Sequence, residues 1–354
     1  MNSAEILERM AEVKSENPKI YARDLASKIG VSEGELLAAQ IGENVIRLRP
    51  DMIELIQSLK ELGPLMALTR NEHCVIECKG VYPVGKFYDH YGMKVGLLLN
   101  QKGIDLRLFM AHWAHVFAVE DIVKGNLSLQ FFGPDGEAVH KVYVIDGTNR
   151  ENYHALVARF TSEDQAAGME VKAKRPAPKT KQDDEVDWPV FRAAWEQLED
   201  VHSFYPMLQK FQVGRQQAFS HVGEEFAYEL DNVASRRVLE LAKEKECELM
   251  SFVGNDGCVE INTSIPDKLM EHGTWFNVLD SQFNLHLNEA AIAQTWVTKK
   301  PTKDGIVTSV EVMDGEGRTL ITFYGQRMEG NPELEIWREI VELLPRKTLS
   351  NAAE

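Results

Sequence analysis

Between Asp187 and Arg215 the bulky apolar residues Phe191, Trp195, Leu198 and Val201 recur at helical spacing, so the pattern predicts a helix with one face in a core. His202 continues that stripe, four residues after Leu198 and seven after Trp195. A ring there reads either as a satisfied core histidine or as a ligand. Pro206 lacks the N–H that would bond the His202 carbonyl, which predicts a break just past the ring and a cleft beside it. A neutral imidazole nitrogen facing such a cleft suits a metal such as iron.

Elsewhere the pattern changes from helical to alternating. ARDLASKIG, SEGELLAAQIGENVIRL and MIELIQSLKELG have the helical period, while CVIEC, KVGLLLN, IDLRLF, LSLQFFG and VHKVYVID alternate or run apolar as strands do. GPDG (133–136) and DGEG (314–317) are hairpin turns, and ENYHALVARF and PELEIWREIVELL are closing helices. Helices segregated from an antiparallel sheet make an α+β architecture.

The chain also repeats itself. GIDLRLFMAHWAHVFAVE resembles QFNLHLNEAAIAQTWVTKK, and DGEAVHKVYVIDG resembles DGEGRTLITFYGQ, both at an offset of 179 positions. LMALTRNEHCV resembles LMSFVGNDGCV at an offset of 184. Two long copies predict a tandem duplication and not a solenoid. The predicted organisation is an N-terminal repeat over 1–170, a solvated linker over 171–186, a C-terminal repeat over 187–345 and a tail over 346–354. At the shared offset Arg107 matches His286 and Arg327 matches Thr148, while His202 falls near Ile20. The copies therefore differ at these positions.

Four motifs point elsewhere and are better explained structurally. GVSEG matches a nucleophile elbow, but a helical segment precedes it where that motif needs a strand. Gly30 suits a helix C-terminus, Ser32 an N-cap and Glu35 a capping box. The same region resembles a helix-turn-helix, yet its second helix carries Glu33, Glu35 and Glu43 and no base before Arg47, which disfavours a DNA-binding regulator. His112 and His115 have no third metal ligand at diagnostic spacing, and Cys74 and Cys78 read as small core residues.

Composition narrows the class. The formal net charge is -16 over 354 residues, which opposes nonspecific binding to nucleic acid or anionic membrane and makes an acidic protein-interaction module an alternative reading. Four cysteines in a chain of this length are no disulfide framework. The N-terminal stretch shows no apolar signal core and no run is long enough to span a bilayer, so the expected location is the cytoplasm.

VHSFYPMLQKFQVGRQQAF, LHLNEAAIAQTWVTKKPT and FYGQRMEGNPELEIWREIV together resemble the cytoplasmic hemin-degrading factor family of bacterial haem-uptake systems. The resemblance covers nearly the whole chain and implies two similar α+β halves, each with a large antiparallel sheet, holding haem b between them. It implies His202 as the proximal iron ligand and Arg107 as the distal residue, catalytic if the protein is an enzyme. It further implies Arg215, Lys299, Tyr324 and Arg327 around the haem edge and propionates, with Lys300 adjacent to Lys299 and His286 open as additional contributors. Arginine's planar fork suits a propionate. The implied function is haem binding and onward trafficking, with oxidative degradation left open. The implied partners are haem itself, an uptake permease and a downstream acceptor or reductase.

Overall fold

Helical patterning at the N-terminus becomes α1 (Ser3–Glu16), α2 (Ala22–Ile29) and α3 (Glu33–Ala38) in the computed structural model, which describes residues 1–90, 92–121, 125–327 and 330–347. The predicted tail lies outside those residues from position 348 onward. Gly30 ends α2 in the left-handed region at φ 84°, and Ser32 caps α3 with Glu35 closing the capping box. The elbow-like motif is thus a helix-to-helix corner. The predicted helix through Leu48 stops early. Gly42 adopts φ 97°, and β1 (Val45–Arg47) pairs instead with a strand, as the β-branched Val45 and Ile46 favour.

The chain divides into two units. The first comprises Met1–Arg70, Ile76–Arg175 and Gly254–Glu260; the second comprises Asn71–Val75, Pro176–Val253 and the chain from Ile261. The first continues with α4 (Met52–Ser58), β2 (Pro64–Arg70), β3 (Cys74–Val81), β4 (Lys86–His90), β5 (Met93–Leu98), β6 (Asp105–Phe109), β7 (His115–Asp121), β8 (Asn126–Phe132), β9 (Ala138–Val144) and α5 (Arg150–Phe160). Strands β1, β7, β8, β9 and β2 pair in that order, all antiparallel, and β4, β5 and β6 form a meander. The second holds α6 (Trp188–Glu196), α7 (Phe204–Phe211), α8 (Arg215–His221), β10 (Ala227–Leu230), α9 (Ala234–Glu244), β11 (Leu249–Gly254), β12 (Cys258–Ser264, its start through Glu260 falling in the first unit), β13 (Leu269–His272), β14 (Trp275–Leu279), β15 (Phe283–Asn288), β16 (Gln294–Thr302), β17 (Gly305–Met313), β18 (Thr319–Gly325) and α10 (Glu335–Glu342). Strands β10, β16, β17, β18 and β11 repeat the antiparallel order, and β13, β14 and β15 repeat the meander. The α+β duplication expected from the sequence is therefore present.

Strand register corrects the repeat alignment. Val119 pairs with Ser128 as Thr298 pairs with Ser309, so β7 and β16 keep the offset of 179. The hairpin of β16 and β17, from Gln294 to Met313, is two residues longer than that from His115 to Phe132, however, and later strands follow an offset of 181. Tyr143 faces Met66 and Ser128, and Tyr324 faces Met250 and Ser309. The turns agree, since Gly136 and Gly317 take the same left-handed conformation at φ 79° and 73°. The DGE match at 179 was a slip of two residues. The counterpart of Arg327 is Asp146, and that of Tyr324 is another tyrosine.

In the first unit, Glu33 at the start of α3 is buried and paired with Arg70 on β2 and Lys141 on β9. The acidic helix thus spends a carboxylate inside the fold. Docking there is close, because a Cβ on Gly34 would lie 2.9 Å from the Gly136 carbonyl oxygen. All four cysteines are buried and none is in a disulfide among the described residues, as small core residues would be. His112 lies in a short 3₁₀ turn and His115 opens β7, and among the described residues no group of three His, Cys, Asp or Glu side chains could hold a metal ion.

Candidate functional site

The opening stretch folds differently from its helical pattern. Helix α6 buries Phe191 and Trp195 but ends at Glu196, before Pro206 is reached. Pro206 is instead the third residue of α7, where a missing N–H costs nothing because first-turn amides lack intrahelical acceptors. Between the helices, Val201–Ser203 form a single 3₁₀ turn, and the helical phase of the apolar stripe is lost across 197–200. His202 is therefore not on the buried face; its side chain is 87% exposed.

The exposed ring is nonetheless held. Asp200 caps the turn, and its Oδ1 accepts the His202 backbone N–H at 2.8 Å and lies 2.7 Å from ring Nδ1. Backbone and ring bonds to His202 pull the Asp200 carboxyl below its ordinary range, against the opposing effect of burial. With a carboxylate as acceptor Nδ1 is the donor, which in a neutral ring leaves the lone pair on Nε2.

Two residues on, Phe204 starts α7 and buries its ring edge-to-face with Trp195 at 4.9 Å and near-parallel to Phe219 at 6.3 Å. Two cations lie over this ring. The Arg215 guanidinium is 5.3 Å from its centroid and the Lys300 ammonium 4.7 Å. Both reach the buried carboxylate of Glu311, through Arg215 Nε at 2.6 Å and Lys300 Nζ at 3.0 Å. Lys300 Nζ also donates to Thr298 Oγ1 at 2.6 Å and to Ser309 Oγ at 3.4 Å, so each ammonium hydrogen has an acceptor. Burial would raise the Glu311 carboxyl, but Arg215 and Lys300 overcome it and hold the group well below the carboxylate range. Burial pulls Lys300 down, against the attraction of Glu311. Two cations thus share one carboxylate, and Arg215 remains 31% exposed with both Nη groups unused by Glu311.

Tyr324 stands opposite Ser309 on β18. Burial first, then the Glu311 charge, pushes its phenol up to about 12, so it stays a neutral donor. Arg327 follows the strand, half-buried, and its charge acts on Tyr324 in the opposite sense. The structure thus brings Arg215, Lys300 and Tyr324 together around Glu311. Lys299, one residue from Lys300 and so on the other strand face, places its ammonium 5.7 Å from the Tyr228 ring centroid. His286 on β15 is bonded through Nδ1 to Asn277 Oδ1 at 2.7 Å. In the first unit, Arg107 on β6 faces Leu97 and is tied to the buried carboxylate of Asp105.

Sequence reasoning missed Asp200, Phe204 and Glu311. Asp200 had a readable signal, an acidic residue two before a histidine at the end of an apolar stripe. Glu311 had a weaker one, a charge inside the apolar strand pattern VTSVEVM that only a buried counter-ion could permit.

Comparison with known proteins places this arrangement. A family model described as the haemin-degrading HemS/ChuX domain matches twice, over residues 30–160 and 212–344. The hemin transport protein HmuS of Yersinia pestis is 39% identical over 352 residues, covering 98% of this chain and 99% of that protein. The solved structure of holo-PhuS, described as a heme-binding protein from Pseudomonas aeruginosa, matches with a TM-score of 0.94 and 39% identity, covering 98% of this chain and all of the other. The structure of ChuS, described as an E. coli heme oxygenase, matches with a TM-score of 0.86 and 34% identity, covering 95% and 98%. The chain belongs to the haemin-degrading HemS/ChuX family.

Proposed function

We propose that this protein binds haem through His202 and passes it on. The observation that carries the reading is an exposed imidazole with Nδ1 tied to Asp200 and Nε2 open, next to the aromatic and cationic cluster on Phe204. Haem needs a nitrogen donor for iron, apolar contact for its face and cations for two carboxylates. The residues here meet the first and the last of these needs. His202 Nε2 supplies the donor. Arg215 offers its unused Nη groups to a propionate, Tyr324 keeps its hydroxyl as a donor, and Arg327 adds charge at the same strand end. Arg107 belongs to the proposal through the family resemblance, with Asp105 fixing its guanidinium. Lys299 and His286 have weaker support, since each has a partner away from the cluster.

The relatives' descriptions as hemin transport and heme-binding proteins support a haem carrier, which in this reading works in the cytoplasm between an uptake permease and an acceptor or reductase. The description of ChuS as a heme oxygenase supports a second reading, oxidative opening of the bound haem. Bound haem supplies the iron and the redox chemistry; the protein's residues orient it and neutralise its carboxylates.

Titrating the full chain with hemin tests the reading. A Soret band saturating at one haem per chain is expected, and no saturating band overturns it. Adding a reductant with catalase present separates the two activities: a bilin-like product supports turnover, while intact haem that exchanges to an acceptor supports carriage alone.

A further inference from the structure

We infer that Asp200 is a positioning residue that presents His202 Nε2, in one tautomer and one ring orientation, to the haem iron. The inference deepens the proposed function and rests on His202 being the ligand.

An imidazole that is 87% exposed on a single 3₁₀ turn would ordinarily exchange both rotamers and tautomers, because so little of it is covered. Asp200 removes that freedom by a closed ring of interactions. One carboxylate oxygen receives both the backbone N–H and the Nδ1–H of the same residue, at 2.8 and 2.7 Å. The bond that caps the turn and the bond that aims the ring therefore share one acceptor, so turn and imidazole are set together. With the proton on Nδ1, only Nε2 carries a lone pair. It points away from the carboxylate, towards solvent.

Two consequences follow for a metal at Nε2. The ring is pre-organised, so less conformational freedom is lost on ligation. The anionic acceptor also makes the imidazole a stronger donor, which favours ferric over ferrous iron. The placement explains the irregular chain between α6 and α7: a continuous helix would have turned His202 into the core with Trp195 and Leu198. The break at 197–200 and the capping aspartate together bring the ring out.

The test uses hemin-loaded full-length protein and three variants, Asp200→Ala, Asp200→Asn and His202→Ala, read by hemin affinity, absorption spectrum and reduction potential. Asp200→Ala should weaken hemin binding by roughly 10–100-fold, as loss of an outer partner of a metal ligand does, and should perturb the ligation spectrum. Asp200→Asn keeps a side-chain oxygen as acceptor and removes the charge. It should hold affinity to within a few-fold while raising the potential, a split that loss of fold would not produce. If His202→Ala alters the spectrum while Asp200→Ala keeps the affinity, spectrum and potential of the unaltered chain, the role of Asp200 is overturned and His202 stands. If His202→Ala leaves the spectrum unchanged, the ligand assignment fails and the role of Asp200 falls with it.

Discussion

Glu311 in the second unit occupies the strand position that Gln130 holds in the first. Each lies two residues beyond the serine that faces a tyrosine across the sheet, Ser309 with Tyr324 and Ser128 with Tyr143. The two units share the sheet register but differ here, an amide in the first and a carboxylate in the second, and the carboxylate gathers Arg215 and Lys300. The first unit also places a carboxylate between an arginine and a lysine, but draws it from a helix, with Glu33 meeting Arg70 and Lys141.

Glu311→Gln restores the amide of the first unit without its surroundings. Lys300 is then left buried without a counter-ion, and breaking a buried pair from one side costs about 3–5 kcal/mol. Urea unfolding should show a lower midpoint by that amount at an unchanged slope. A change below about 1 kcal/mol would mean that the cluster does not hold the second unit together.

Lys299 and Lys300 are neighbours with opposite expectations. Lys299→Met should shift stability by no more than about 0.5 kcal/mol, as partly exposed substitutions usually do. Lys300→Met should cost several times more, because it strands the buried Glu311 carboxylate. Parallel thermal melts of the two variants check the strand face; equal effects would contradict it.

Arg215→Lys separates charge from shape. Lysine keeps the cation but loses the planar group over Phe204 and the outward Nη pair. Hemin affinity should fall by roughly 10-fold or more, in line with a lost charge-assisted contact of about 1.5–3 kcal/mol. Equilibrium titration of the variant reads this directly.

The first unit should show a stability plateau bounded by two buried groups. Glu260 is fully buried, its carboxyl oxygens make no hydrogen bond of good geometry, and burial pushes it up to about 8. His140, bonded to Thr69 and Tyr82 and 4.0 Å from Glu260, is pushed down by burial to about 3. From the ordinary value of 4.5 up to about 8 the unfolded chain has lost the Glu260 proton that the folded one keeps, so stability falls as pH rises. From 6.5 down to about 3 the unfolded chain takes up a proton on His140 that the folded one refuses, so stability falls as pH drops. The two slopes cancel between 4.5 and 6.5. Denaturation across pH should show the plateau, and Glu260→Gln should remove the decline above pH 6.5 and turn the plateau into a continued rise up to that pH.

Short-range chemistry was legible in the sequence and longer-range geometry was not. The Ser32–Glu35 capping box, the hairpin turns at Gly136 and Gly317 and the closing helices α5 and α10 depend on a few adjacent residues, and each formed as read. The strand β1 was hidden because Val45 and Ile46 continued a helical period until Gly42 had already ended the helix. The two extra residues of the β16–β17 hairpin were hidden because the DGE match offered a better local alignment than the true register. At His202 the apolar stripe gave the right residue and the wrong face. Periodicity cannot register that α6 stops at Glu196, whereas the Asp200 carboxylate that holds the ring depends on that stop.

His202→Ala in the hemin-loaded chain tests the central claim most directly. The unaltered protein should give a saturating one-to-one Soret transition with a histidine-ligation spectrum. The variant should lose that signature, and added imidazole should restore it. A variant spectrum identical to that of the unaltered protein would contradict His202 as the iron ligand.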